Sequence, residues 1–131
     1  MDNERRKNLN LRRLNDTRLN SELRRKSFLL IEQLENAGLK PLVTQGFRSI
    51  EEQNRLYSIG RTKKGKIVTN AKGGQSKHNF GKAVDFAFVD SSGNITWDAD
   101  NFKKLGKFAD KIGLIWGGHW KRFTDMPHIE V

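Results

Sequence analysis

The chain of 131 residues has no cysteine. This excludes a disulfide framework and any thiolate metal site, so a bound metal would have to use nitrogen and oxygen ligands. Long apolar runs are also missing. Nothing approaches the ~20 residues of a membrane span. The opening segment, MDNERRKNLNLRRLND, is basic and lacks both the apolar stretch of a secretory signal and a lipidation cysteine. The expectation from this segment is a protein that stays in the cytoplasm until something releases it. Acidic residues are scarce beside basic ones, 15 against 25, and the formal net charge is +10. Such a charge concentrates polyanions, whether nucleic acid, acidic lipid or anionic wall polymers. Basic motifs interleaved with aromatics are absent, which argues against a specific nucleic-acid reader.

The length suits one domain with a modest core. Residues 1–18 read as a basic, frayed or partly helical arm, with the main unit at 19–131. Leu23, Leu30, Ile31 and Leu34 recur at helical spacing, predicting a helix over 21–37 that Gly38 stops. Residues 40–47 read as a strand. Ser49 and Glu52 form a capping-box pattern for a helix over 50–59. Residues 61–79 form a long loop rich in Gly, Lys, Ser, Thr and Asn. Alternation over 82–89 predicts a strand, with a turn at 90–94 and a short return strand at 95–97. Asp98 is placed to cap a helix over 99–112, and 114–116 and 127–131 are further strands. The order of elements predicts a small α+β domain with a central antiparallel sheet flanked by helices.

Two clusters carry chemistry. One is Ser76-Lys77-His78-Asn79-Phe80-Gly81-Lys82-Ala83-Val84-Asp85. The other is Asp125-Met126-Pro127-His128 near the C-terminus. His78, Asp85 and His128 offer three ligands, the number typical of a catalytic zinc centre with an open position. An ionised Asp85 between Val84 and Phe86 would be costly without a cation or strong donors. Asp125 precedes His128 by three residues, and Pro127 disfavours a helix there, so the acid can lie near the metal without binding it. It would act as general base. Arg48, in the corner Gln45-Gly46-Phe47-Arg48-Ser49, is the candidate to stabilise a developing oxyanion.

The segments QGFRS, SKHNFGKAVDFAF, GLIWGGHW and DMPHIEV, in this order, resemble the VanY-type zinc metallopeptidases. That family includes D-alanyl-D-alanine carboxypeptidases and dipeptidases and the L-alanyl-D-glutamate endopeptidases of phage and bacterial wall hydrolases. The likeness covers roughly residues 20–131 and is nearest to phage endolysin peptidase domains. It implies zinc at His78, Asp85 and His128, Asp125 as base, Arg48 on the oxyanion and Ser76 against the substrate backbone. It also implies a fold shared with zinc domains of the hedgehog type. His119 and Trp120 are expected to line the cleft as substrate contacts.

The resulting expectation is a zinc-dependent hydrolase of the peptidoglycan stem peptide, cutting L-Ala-D-Glu, monomeric, and held on anionic wall polymers by charge. The alternative is a D-alanyl-D-alanine carboxypeptidase, in which Lys63, Lys64, Lys66 or Lys72 of the long loop would bind the terminal carboxylate. A polyanion-binding module without catalysis is a further alternative.

Overall fold

Strand β2, Ala83–Val89, is the centre of the sheet. In the computed structural model, which describes residues 1–131, its side chains are covered on both faces. Ala83, Val84, Phe86, Ala87 and Phe88 are all buried, and Asp85 is the one charged residue among them. The sheet runs β1 (Pro41–Gln45), β2, β5 (His128–Glu130), β4 (Ile115–Trp116), with β3 (Ile95–Thr96) also pairing β2. Every pair is antiparallel, in keeping with the expected α+β architecture.

Helices α2 (Ser21–Asn36) and α4 (Ala99–Lys111) fall where periodicity puts them. Asn20 caps the first by accepting from Leu23 N, and Asp98 caps the second by accepting from Asp100 N. Leu23, Leu30, Ile31 and Leu34 of α2 join Phe102, Leu105 and Ala109 of α4 in one core with Val84, Phe86, Phe88 and Ile129 of the sheet. A fully buried Leu or Phe contributes roughly 1.5–3 kcal/mol. This burial, rather than helix propensity, holds the helices in place.

The first 18 residues, expected as a frayed or partly helical arm, are helical over most of their length and packed against the sheet. Helix α1 spans Asn3–Leu14, capped by Asp2, and lies along β1. β1 is an edge strand, and its outer backbone groups would otherwise lack partners. Arg6 Nη1 and Asn10 Nδ2 both donate to Pro41 O, at 2.7 and 3.0 Å. Asn10 Oδ1 accepts from Val43 N at 2.7 Å, and Arg13 Nη1 donates to Val43 O. Arg6, Asn10 and Leu14 are the buried residues of the helix, at four-residue spacing on one stripe. Apolar periodicity could not reveal this helix because two of the three residues it buries are polar.

Helix α3 (Ile50–Ser58) starts at Ser49, whose hydroxyl accepts from Glu52 N at 3.0 Å. The expected reciprocal box is only half formed, since the Glu52 carboxylate pairs with Arg55 instead. A complete box occurs at Ser76 and Asn79, heading the short 3-10 turn Lys77–Phe80. No helix is long and apolar enough to cross a membrane.

Candidate metal centre

The antiparallel register of β2 with β5 puts Asp85 opposite His128. Asp85 Oδ1 lies 3.2 Å from His128 Nδ1 and 3.2 Å from His78 Nε2. The ligand atoms of all three residues fall within 4.8 Å of one another. Across a tetrahedral zinc centre with bonds of 2.0–2.1 Å, neighbouring ligand atoms would be about 3.3 Å apart.

The remote nitrogens of both imidazoles are already committed. His78 Nδ1 is 2.8 Å from Gly46 O, a carbonyl that can only accept. His128 Nε2 is 2.8 Å from Glu130 Oε1. Each ring therefore donates outward and turns its other nitrogen toward Asp85, the arrangement by which histidine ligands are oriented. The donor set of two imidazole nitrogens and one carboxylate suits a divalent metal of the zinc type.

Ionisation follows the same geometry. Burial pushes the Asp85 carboxyl up, but hydrogen bonds from His128 and His78 outweigh it and hold the group well below the ordinary range. Burial disfavours charge on His128, yet the carboxylates of Asp85 and Glu130 raise it to about 9. Without metal, the His128 imidazolium is thus the positive charge between these acids. Glu130 is lowered: burial opposes its charge, but the hydrogen bond from His128 prevails, helped by Lys77 at 3.6 Å.

The segments that deliver these side chains lock to one another. Arg48 N donates to His78 O at 3.0 Å, and Asn79 Nδ2 donates to Arg48 O at 2.9 Å. The Gln45–Ser49 corner and the 77–80 turn therefore form one unit. Ser76 Oγ accepts from His78 N at 3.2 Å, so this serine places the ligand as well as lining the cleft. On the other side, Asp125 N donates to Gly117 O at 3.0 Å. A side chain at Gly117 would run into Asp125 O, so glycine permits this close approach.

The cluster forms part of a cleft of about 990 Å³. Arg48, Ser76, Trp120 and Asp125 all line it. Asp125 Oδ2 stands 3.9 Å from His128 Nδ1, beside the three ligands, and its carboxyl is raised first by burial and then by the charge of Asp85. The Trp120 ring lies 5.1 Å from that of His128.

His119, expected to line the cleft, is not among its lining residues. Its Nε2 is 2.8 Å from Asp110 Oδ2 on α4, and its ring meets Trp116 edge-on. The 3-10 turn Gly117–His119 rotates successive side chains apart, so that Trp120 faces the cleft and His119 the helix. Lys63, Lys64, Lys66 and Lys72 also stay outside the lining, where the basic side chains are Arg48 and Lys77.

Sequence reasoning missed Gln53. It is fully buried, and its Oε1 accepts from Arg48 Nη1 at 2.9 Å. Its Nε2 donates to Ala71 O at 2.8 Å. One amide thus orients the arginine and fastens the wall of the cleft. Arg48 Nε is buried without a hydrogen-bond partner. The only available signal was a glutamine at a buried phase of α3.

A family model described as D-alanyl-D-alanine carboxypeptidase matches residues 69–131, a span that includes His78, Asp85, Asp125 and His128. Over 105 residues the chain is 46% identical to the peptidoglycan L-alanyl-D-glutamate endopeptidase CwlK of Bacillus subtilis (strain 168), covering 73% of this chain and 63% of that protein. It is 28% identical over 104 residues to the L-alanyl-D-glutamate peptidase of Listeria phage A118, covering 77% of this chain and 34% of that one. The chain thus spans less than two thirds of the length of either relative. Among solved structures, the Serratia marcescens L-Ala D-Glu endopeptidase ChiX matches with a TM-score of 0.69 and 25% identity, over 96% of this chain and 86% of that one. The D,D-dipeptidase VanXYg shares the fold at a TM-score of 0.62 and 18% identity, over 86% of this chain and 49% of that one. With its His-Asp-His cluster inside the matched span and its sheet shared with these structures, the chain is similar to these peptidases in both fold and metal-ligand residues.

Proposed function

We propose that the protein is a zinc-dependent peptidoglycan hydrolase that cleaves the L-Ala-D-Glu bond of the stem peptide. The observation that carries this reading is the metal-ligand cluster set in a cleft of about 990 Å³ without a spare lysine. That volume is at the top of the roughly 300–1,000 Å³ range of ordinary ligand pockets. A carboxypeptidase requires a cation free for the terminal carboxylate. Here Lys77, the one lysine on the lining, is paired with Glu130, and Arg48 is assigned to the reacting carbonyl oxygen. The names of the two curated relatives and of ChiX point to the same bond.

His78, Asp85 and His128 would hold the zinc, which supplies Lewis-acid polarisation and acidifies water when bound. Asp125 takes a proton on its carboxylate from the attacking water and returns it to the leaving amine nitrogen. Its raised pKa makes it a stronger base than an ordinary aspartate. Arg48 donates to the carbonyl oxygen as charge develops there. Ser76 and Trp120 contact the substrate along the cleft. Residues 19–131 form the catalytic unit, with 1–18 supporting its edge strand. The net charge of +10 favours retention on the anionic polymers of the bacterial wall.

Mass spectrometry of peptidoglycan digests tests the reading. New D-Glu N-termini together with muramyl-L-Ala products are expected, lost with chelator and restored with zinc. Release of D-Ala alone would establish the carboxypeptidase instead.

A further inference from the structure

Most residues lining the cleft are polar or charged, yet three large apolar side chains stand exposed on its walls. They are Ile67 (56% exposed), Val68 (59%) and Phe123 (77%). Six other large apolar residues are exposed on this protein, and none of them lines the cleft. The two walls come from distant segments, the 61–76 loop and the turn after Trp120.

Neither wall is loosely placed. At Gly60, with φ +80°, an added Cβ would lie 2.7 Å from Ile67 N, so the backbone of Ile67 is seated directly against this glycine. Beyond Val68, the loop is tied down by Arg61 to Thr69 O at 3.1 Å and Gln53 to Ala71 O at 2.8 Å. In the other segment, Thr124 Oγ1 donates to Trp120 O at 2.7 Å and closes the turn. Phe123 takes φ +54°, the one non-glycine residue in the left-handed region. An aromatic residue is strained there, and its exposed ring gains no packing in return. Strain held at a residue that lines a cleft points to contact with what the cleft binds.

We propose that Ile67 and Val68 on one wall and Phe123 on the other are specificity-determining contacts for the stem peptide. They would hold it by its short apolar groups, the methyl of L-Ala and the methyl of the adjoining lactyl unit, and so set which bond reaches the metal site. This rests on the stem-peptide reading given above. The chemistry fits the occupant: the lactyl and L-Ala methyls precede the bond to be cut and the acidic D-Glu follows it, so apolar side chains beside polar ones have groups to meet.

Steady-state kinetics of the zinc-loaded protein on soluble muropeptides provide the test. Phe123→Ser, and Ile67→Ser with Val68→Ser, are each expected to raise KM about tenfold while kcat stays within about twofold. Phe123→Leu should recover most of the loss. Phe123→Gly, which removes the strain, should raise KM yet melt no lower than the parent. An unchanged KM, a loss confined to kcat, or a lower melting point for Phe123→Gly overturns the assignment. The two readings fail differently. A parent protein that yields no new D-Glu terminus overturns both, whereas an active parent with variants unchanged in KM overturns these contacts alone.

Discussion

Asp85 and His128 are direct partners in the β2–β5 ladder, and Asp85 Oδ1 lies 3.2 Å from His128 Nδ1 across it. A slip of one residue in β5 would bring Ile129 to that place and turn His128 to the other face. The metal site therefore depends on strand register. Ile129, which is fully buried, and the ladder partners Val84 and Trp116 on either side of it hold that register.

The four acids and histidines nearest the centre should separate into ligands and base. Asp85→Asn is expected to lose bound metal, because a neutral amide replaces the carboxylate facing both imidazoles. Asp125→Ala should keep metal near one per chain and lose about 10²–10⁴-fold in kcat, the usual contribution of a general base. Plasma mass spectrometry of the purified variants measures the metal. Loss of metal from Asp125→Ala would make that residue a ligand.

Gln53 should matter through Arg48. Gln53→Leu removes the acceptor for Arg48 Nη1 and the donor to Ala71 O. Leaving the partly buried Ala71 carbonyl unpaired costs up to about 1–3 kcal/mol, so the variant should fold but melt lower. Its kcat is expected to drop at least tenfold with metal content unchanged, and Arg48→Ala should drop about 10²–10³-fold. If kcat in Gln53→Leu matches the parent, the arginine is held by other contacts.

Metal-free protein should lose stability on the alkaline side. His128 is raised from 6.5 to about 9 by Asp85 and Glu130 against the cost of burial. A group with a raised folded-state pKa contributes stability in full below its unfolded value, and loses it as pH climbs through the folded one. Melting points of chelated protein should therefore fall between about pH 6.5 and 9, a fall that Glu130→Gln reduces. Zinc must displace the same proton, so calorimetry near neutral pH in buffers of different ionisation heat should register proton release on metal uptake. A flat melting profile over this range would contradict the assignment.

The docking of α1 can be tested with Arg6. This residue is 2% exposed, donates to Pro41 O and pairs with Glu35 at 2.6 Å. Arg6→Met should cost about 3 kcal/mol in urea unfolding, the low end of the range for broken buried pairs because Glu35 can still reach water. Arg55→Met, which breaks an equally short but exposed pair with Glu52, should leave the midpoint unchanged. If both variants behave alike, α1 is not held by its polar face.

Much of this molecule was legible residue by residue. The α2 and α4 stripes follow from Leu23, Leu30, Ile31 and Leu34 and from Phe102, Leu105 and Ala109, since apolar spacing reports burial directly. The strand 83–89 was readable from the alternation over 82–89, and Asp85 drew attention because a lone charge inside it demands a partner. Other features left no such mark. The buried face of α1 is made of Arg6 and Asn10, residues that composition assigns to solvent. His119 and Trp120 are adjacent in sequence yet point to different surroundings, a matter of one 3-10 turn. Gln53 looked like any polar residue of a short helix.

The sequence by itself determined the ligand types, the absence of sulfur chemistry and the α+β order of elements, because these depend on side-chain chemistry and local periodicity. Tertiary structure alone decided that residues 78, 85 and 128 converge, that Gly46 and Glu130 turn their imidazoles, and that Gln53 sets Arg48. Those facts depend on strand register and on hydrogen bonds between segments tens of residues apart, which no local pattern encodes.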